Sequence, residues 1–451
     1  MRYSSLPYSI GTIRTCLITG PSVLLRLGVV EYPYWVWTGT LFEDFATLCG
    51  EKNVIPREFF IEAVKTVVGA ICGHRIFPEG IESQESRFYT VLIGPGGGGK
   101  SSASKWARDL FIGTGFLYQL GQEPAFSNIG VAEGCFSSGE GLIKKGFDKH
   151  SRILMPYDEL TTLIEKFAIL GSGFSLMNFI LEAFERTSTA PTSITKNDKI
   201  TNTPTHGVHL SILGCSTAER WENSFVKTGA ESSGFFQRVN IISNPSEETV
   251  ARLHDPDFSA LREKFQKKIQ SLEFQKANVI WTAEAVEAFD SWYLAKNTEW
   301  RSLHKDIKGR ISVIAQRNAS LLAWLMGGDD VVPNADKANE PIEIFCDADI
   351  VARAIALAEY EVFVRQIHQP ILADNPWAKM ECAIRRYFVK TKKTMVTRKK
   401  LGHDLHADRA GIQTFDKAIN NLTQEGFLKI GQREGETKCG RKAQIIMLVV
   451  D

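Results

Sequence analysis

The sequence predicts an α/β protein in which a parallel sheet with crossover helices is followed by a helical subdomain and a basic C-terminal winged helix. Three observations carry that expectation. Short apolar runs alternate with helical patterns over residues 56–245, the order of a parallel sheet whose strands are linked by helices. Over residues 246–370 the pattern becomes mainly helical. Over residues 375–451 the charge changes sign: 16 Lys and Arg stand against 8 acidic residues, a balance of +8, whereas residues 1–374 carry 37 against 44, or −7.

The chain has 451 residues, room for two or three domains of roughly 150 residues each. Charged residues make up 23% and apolar ones 43%, which excludes a disordered or collagen-like chain. The net charge of +1 gives no global pull toward nucleic acid or anionic membrane, so any such binding must come from a local patch. Eight cysteines without a CxxC pair point away from a zinc ribbon or a disulfide scaffold and toward the reduced thiols of a cytoplasmic protein. The apolar stretch from Leu17 to Trp37 is broken by Arg26, Glu31 and several Pro and Gly, so neither a membrane span nor a signal peptide is expected.

Residues 1–55 mix aromatics, Gly and Pro without period and receive no role. After Pro56, the run REFFIEAVKTVVGAICG puts Phe59, Ile61, Val64, Val67, Val68 and Ile71 at helical spacing, an amphipathic helix. FYTVLIG, residues 88–94, reads as a short strand buried on both faces, with the helix former SSASKWARDLF behind it. RILMPY (152–157) and VHLSILGCS (208–216) are further strands, separated by the helical patterns GEGLIKKGFDKH and SLMNFILEAFER. Pro156 lacks a ladder donor and is expected to end or bend its strand. Four helical runs follow, through ADIVARAIALAEYEVFVRQI, with a polar loop at 327–341. The basic module orders three helices, KMECAIRRYFVK, RKKLGHDL and IQTFDKAINNLTQEGF, before two β runs, FLKIGQ and AQIIMLVV, around the turn REGETKCGRK.

The sharpest motif is Gly94-Pro95-Gly96-Gly97-Gly98-Gly99-Lys100-Ser101, a GxxxxGK[ST] P-loop with the required strand before it and helix after it. Its glycines let backbone N–H groups through Ser102 wrap phosphate at a positive helix end, so ATP is the expected ligand. Lys100 would reach the β- and γ-phosphates and the Ser101 hydroxyl would ligate Mg²⁺. Asp158 and Glu159, at the end of RILMPY, supply a second metal ligand and a base for water; an acidic helix N-terminus is the plain alternative. Ser216 and Thr217 end their strand where a hydroxyl would meet the γ-phosphate or the attacking water, or would merely cap the strand end. Arg238 in GFFQR reads as an arginine finger for a neighbouring subunit's nucleotide or as a structural arginine pairing a carboxylate. TSITKNDKIT (192–201) reads as a hairpin, its tip Lys196 and Lys199 either gripping a threaded strand or lying in a solvated turn. In the basic module the third helix would enter a DNA groove while Lys438, Arg441 and Lys442 contact phosphate; such modules also dock proteins. His403 and His406 lack the partners of a metal site.

Taken in order, the P-loop, the Asp158-Glu159 pair, ILGCSTAE, GFFQR, Arg317 in AQRNASLLAWLM and DADIVARAIALAEYEV resemble the primase-associated ATPases of phages, plasmids and genomic islands, over residues 56–370. Ser216-Thr217 stands where relatives often carry Thr-Gln. The resemblance implies a RecA-like or AAA+-like hexameric helicase motor, with Arg238 matching the family's Gly-aromatic-x-x-Arg-like element and Arg317 as a second sensor in a helical lid. The expected protein is a DNA-dependent ATPase acting on single-stranded or forked DNA as a homo-oligomeric ring, beside a separate primase and without a membrane. The alternative is a nucleotide-switched DNA-binding regulator or loader that does not unwind.

Overall fold

A computed structural model of the chain describes residues 31–44, 55–81, 84–111, 116–119, 129–132, 136, 138–142, 152–169, 171–185, 193–194, 200–201, 208–228, 234–244, 257–270, 272, 276–300, 308–327, 340–368, 376–391, 393–432 and 444–449. The protein is α/β and divides into two compact units, a larger one of residues 30–295 and 304–370 and a smaller one of residues 1–29, 296–303 and 371–451. Among the described residues no single helix is long and apolar enough to cross a membrane.

In the larger unit, helix α1 (Arg57–Cys72) leads to strand β1 (Ile76–Pro78), then β2 (Tyr89–Ile93), α2 (Lys100–Asp109), β3 (Tyr118–Gln119), β4 (Ile129–Val131), α3 (Gly139–Leu142) and β5 (Arg152–Tyr157). Helices α4 (Thr161–Phe167) and α5 (Ser172–Glu185) follow, then a hairpin of β6 (Ser193–Ile194) and β7 (Ile200–Thr201), β8 (His209–Ser216), α6 (Ala218–Thr228) and β9 (Val239–Ser243). The chain continues with α7 (Ser259–Gln270), β10 (Ala277–Trp281), α8 (Ala283–Glu299, its last residues from Lys296 on grouped with the smaller unit), α9 (Ile311–Met326), β11 (Ile342–Cys346) and α10 (Ala348–His368).

Six strands form one sheet in the order β3-β4-β5-β8-β2-β9, every neighbouring pair parallel. Strands β2 and β8 are buried at every residue, which is why they read as mostly apolar runs rather than alternating ones. Pro156 neither ends nor bends β5, which continues to Tyr157 with Pro156 opposite Leu213 of β8. The Leu154 carbonyl accepts from Ala132 on the β4 side, and Pro156, two residues on, faces the same side. Among the described residues pairing with β4 stops at Leu154, and Pro156 keeps its place in the ladder with β8.

Among the described residues no strand pairs with the outer edge of β9, and side chains bond to it instead. Both carboxylate oxygens of Glu361 on α10 accept the Ile241 N–H, at 3.0 and 2.9 Å. Arg365, one turn on, donates Nε to Glu361 at 2.8 Å and Nη2 to the Gln237 and Val239 carbonyls at 3.0 Å. Burial raises the Glu361 carboxyl to about 7, while Arg365 and the Ile241 N–H pull it down. A sheet edge satisfied in this way is not free to pair with another chain.

Two expectations change. Helix α1 is not amphipathic in its setting: every residue from Glu58 to Cys72 is buried. Its polar side chains are partnered inside the protein, Glu62 with Lys65 and with the Tyr32 hydroxyl at 2.7 Å, and Lys65 with Asn318 Oδ1 at 3.3 Å. The segment after Asn244 is not purely helical, because β10 and β11 join β1 in a second parallel sheet of order β1-β10-β11. Helix α9 packs on that sheet. The segment from residue 31 to 44, which sequence left without a role, is fastened to α10 by Arg353, whose Nη1 donates to the Val36 and Thr38 carbonyls at 2.9 Å.

The smaller unit contains α11 (Pro376–Thr391), β12 (Met395–Thr397), α12 (Arg398–Asp404), α13 (Ala407–Ala410), α14 (Ile412–Gln424), β13 (Leu428–Gln432) and β14 (Gln444–Leu448). Its strands form an antiparallel sheet, β12-β14-β13, over a core that includes Ile384, Phe388, Leu401, Phe415, Leu422 and Ile446. Strand β12 and helix α13 are too short to have declared themselves in sequence.

Replacing Glu361 with Ala strands a buried guanidinium and the β9 N–H together. The expected loss is about 3–5 kcal/mol of unfolding free energy, measured by urea denaturation of the intact chain.

Candidate functional site

A parallel sheet gathers the carboxyl ends of its strands at one edge, and the loops there are where ligands meet α/β proteins. At that edge the last residues of β8 hold both neighbours. The Ser216 carbonyl accepts the Gly94 N–H at 3.3 Å, and the Cys215 carbonyl accepts the Leu160 N–H at 2.8 Å. The glycine turn after β2 and the acidic couplet after β5 are thereby anchored on either side of one strand.

The turn from Gly94 to Gly99 is closed by the Gly98 N–H donating to the Pro95 carbonyl at 3.1 Å. Gly97 and Gly99 have φ of +76° and +78°, a region that L side chains enter only at a cost. No heavy atom lies within 4 Å of a Cβ built on Gly96 or Gly97, so the turn has an open face. Lys100 begins α2 and is 9% exposed, its Nζ donating to the Gly94 carbonyl at 2.9 Å and the Pro95 carbonyl at 2.5 Å. Ser101 is exposed and Ser102 half-buried in the first turn of α2, whose leading N–H groups, as at any helix start, have no intrahelical acceptor.

Glu159 receives three donors from three places. Ser216 Oγ lies 2.7 Å and Thr161 Oγ1 2.9 Å from its Oε1, and Arg220 Nη1 lies 3.1 Å from its Oε2. Asp158 beside it is exposed. Burial pushes the Cys215 thiol up to about 12; Asp158 and Glu159 push the same way and Lys100 opposes them. Burial also lowers the Lys100 amine, against upward pulls from Cys215 and Glu159. Lysine, couplet and strand end therefore share one electrostatic neighbourhood. Next to it lies a groove of about 450 Å³ whose lining includes Glu159, Thr162, Thr217, Arg220 and Asn223.

Among the described residues no three His, Cys, Asp or Glu side chains gather as a metal cage. A cation at this edge would rest on the Ser101 hydroxyl, the Asp158 carboxylate and the oxygens of its own ligand, a hard oxygen set suited to Mg²⁺.

Arg317, expected here as a second sensor, lies elsewhere, and Arg238, expected to serve a neighbouring subunit's nucleotide, is also away from this edge. Arg238 immediately precedes β9, at the amino ends of the strands, one strand length or about 15 Å from the glycine turn. It is paired with Glu185, its Nη1 donates to the Gly234 carbonyl at 2.8 Å, and Arg310 shares Glu185 at 2.7 Å. Within its own chain Arg238 therefore pairs a carboxylate, one of the two roles its motif left open. Arg317 does not join the site either. It is 1% exposed, with Nη1 3.2 Å from the Arg87 carbonyl, Nη2 2.5 Å from the Phe184 carbonyl and its guanidinium 4.0 Å over the Phe184 ring. As a residue inside α9 between two layers it ties backbone together rather than facing a ligand. Sequence reasoning missed Arg220, four residues beyond Ser216; its signal was a cation in the first turn of the helix leaving β8.

The hairpin arms pair antiparallel, Ser193 with Thr201 and Ile194 with Ile200, while Lys196 and Lys199 fall outside the described residues. So do Lys438, Arg441 and Lys442. In the smaller unit, α14 exposes Gln413, Lys417 and Asn420, and Lys399, Lys400 and Arg409 are exposed nearby in sequence. Arg398 and Arg385 are spent internally, paired with Asp416 and Glu425.

The chain matches no protein-family model and no curated protein.

A thiol with its pKa near 12 does not react at ordinary pH. Cys215 should remain unmodified by a maleimide at pH 7.5 in the folded chain and react fully in urea, while the exposed Cys382 reacts in both, as read by peptide mass mapping.

Proposed function

We propose that this chain is a DNA-dependent ATPase with a P-loop NTPase core and a winged-helix DNA-binding domain, akin to the primase-associated ATPases, working as a ring-forming replicative motor. The observation that carries the reading is that the turns bearing Lys100 and Glu159, 59 residues apart, are both anchored on the last two residues of β8, Gly94 on the Ser216 carbonyl and Leu160 on the Cys215 carbonyl. In this reading the glycine turn and the first turn of α2 hold the phosphates, and Lys100 leaves the Gly94 and Pro95 carbonyls to reach them. Glu159, oriented by Ser216 and Thr161, takes the proton of the attacking water. Ser101 and Asp158 would hold Mg²⁺, which when bound neutralises phosphate charge. Arg238, at the far end of the sheet, would serve a neighbouring protomer's nucleotide if the subunits form a ring, after releasing Glu185. The exposed side chains of α14 and its neighbours supply the local basic patch for DNA.

One observation favours the second reading, a nucleotide-switched DNA-binding regulator: Arg238 is already engaged within its own chain. Displacement of a forked duplex in the presence of ATP separates the two.

Lys100→Ala should lower ATP turnover by at least ~100-fold, and Glu159→Gln should lower it comparably while sparing ATP binding, since a positioned acid or base contributes ~10²–10⁴. Wild-type turnover in Lys100→Ala would remove the assignment. Single-stranded or forked DNA should stimulate the unmutated chain, and light scattering with ATP should find a ring-sized particle. DNA affinity should fall steeply between 50 and 200 mM salt by roughly 10³ or more if six or more phosphates are contacted.

A further inference from the structure

The geometry points to Arg220 as the residue that reads the terminal phosphate of a bound nucleoside triphosphate, holding Glu159 while the site is empty and passing to the phosphate when it fills. This rests on the ATP site proposed above. Arg220 sits in the first turn of α6, directly after β8, so it rises from the strand that joins the glycine turn to the acidic couplet. Its backbone is set by Thr217, whose Oγ1 accepts the Arg220 N–H at 3.4 Å. Its side chain is 68% exposed, and the ion pair with Glu159 is its anchor at that edge. Exposed pairs of this kind are weak and exchange readily.

Glu159 as it stands is fully engaged by its neighbours. Both of its oxygens are taken, Oε1 by two hydroxyls and Oε2 by the guanidinium. Ser216 and Thr161 can stay and orient it, while departure of Arg220 clears the guanidinium from the Oε2 side, where water would approach. A terminal phosphate arriving at Lys100 offers more negative charge than a carboxylate and several acceptor oxygens in a geometry that suits a guanidinium. Transfer of Arg220 to that phosphate neutralises the ligand and frees the base in one movement. Arg220 is the cation among the residues lining the adjoining groove, beside the carboxylates Glu159, Glu165 and Glu219, so a terminal phosphate placed by the glycine turn draws Arg220 toward it and away from that acidic lining. A diphosphate leaves the position empty and Arg220 on Glu159, which makes the exchange specific for the triphosphate. Neither Arg238 nor Arg317 can do this within the chain, because both are held at the opposite end of the sheet.

The test uses the intact chain carrying Glu159→Gln, which blocks turnover and weakens the resting clamp. Affinities for Mg-ATP and Mg-ADP are measured by calorimetry with and without Arg220→Ala. Arg220→Ala is expected to weaken ATP by about tenfold or more, the size of a lost hydrogen bond to a charged group, and to leave ADP within about twofold. Arg220→Lys should recover part of the ATP preference, and Glu159→Gln alone should bind ATP more tightly than the unmutated chain. Equal loss for both nucleotides, or loss for neither, overturns the inference and leaves the ATP site standing. Failure of the unmutated chain to bind either nucleotide overturns the site, and this inference with it.

Discussion

The candidate site depends on the end of one strand. β8 lies between β2 and β5, and in two successive residues it accepts backbone N–H groups from the loops that follow both, Gly94 on one side and Leu160 on the other. Its Ser216 hydroxyl then fixes the carboxylate of Glu159. Because backbone hydrogen bonds in a buried sheet are obligatory, the spacing between turn and couplet is set by the ladder rather than by the loops themselves. The site at this edge therefore inherits the rigidity of the sheet, while Lys100 bonds to two backbone carbonyls and Arg220 to one carboxylate.

The opposite end of the sheet is built for a different purpose. Arg87, Arg317 and Arg238 gather there, and much of what they donate goes to backbone carbonyls: Ala183 and Val208 for Arg87, Arg87 and Phe184 for Arg317, Gly234 for Arg238. Buried guanidinium groups suit this work because they spread one charge over several donors in a fixed fork. The clasp of Glu361 and Arg365 on β9 follows the same logic, substituting side chains for a missing strand. Polar residues inside this core thus mark places where backbone would otherwise be unsatisfied. That is why an arginine in a helix after the sheet reads from sequence like a sensor yet sits in the interior.

In the smaller unit the positive balance is not all available to a partner. Arg385 and Arg398 are paired within the unit and also lie over Phe427 and Phe415, so they help hold helices to strands. Lys399, Lys400, Arg409 and Lys417 keep their exposure. A count of basic residues overstates the patch, and the paired fraction becomes visible only when the carboxylates are placed.

The sequence by itself determined the elements whose signal is local. The strands at 89–93, 152–157 and 209–216 announced themselves as mostly apolar runs, because both of their faces are buried. The glycine turn was legible because positive φ at Gly97 and Gly99 demands that residue type, and the helices because their apolar spacing repeats over several turns. What only the tertiary structure decided is where charged side chains end. Whether Glu159 meets Arg220, Arg238 meets Glu185, Arg317 faces carbonyls, or β1 finds β10 some two hundred residues later depends on pairing across the fold. Such pairing leaves no period in the chain, since a salt bridge or a ladder between distant segments places no constraint on the residues lying between them.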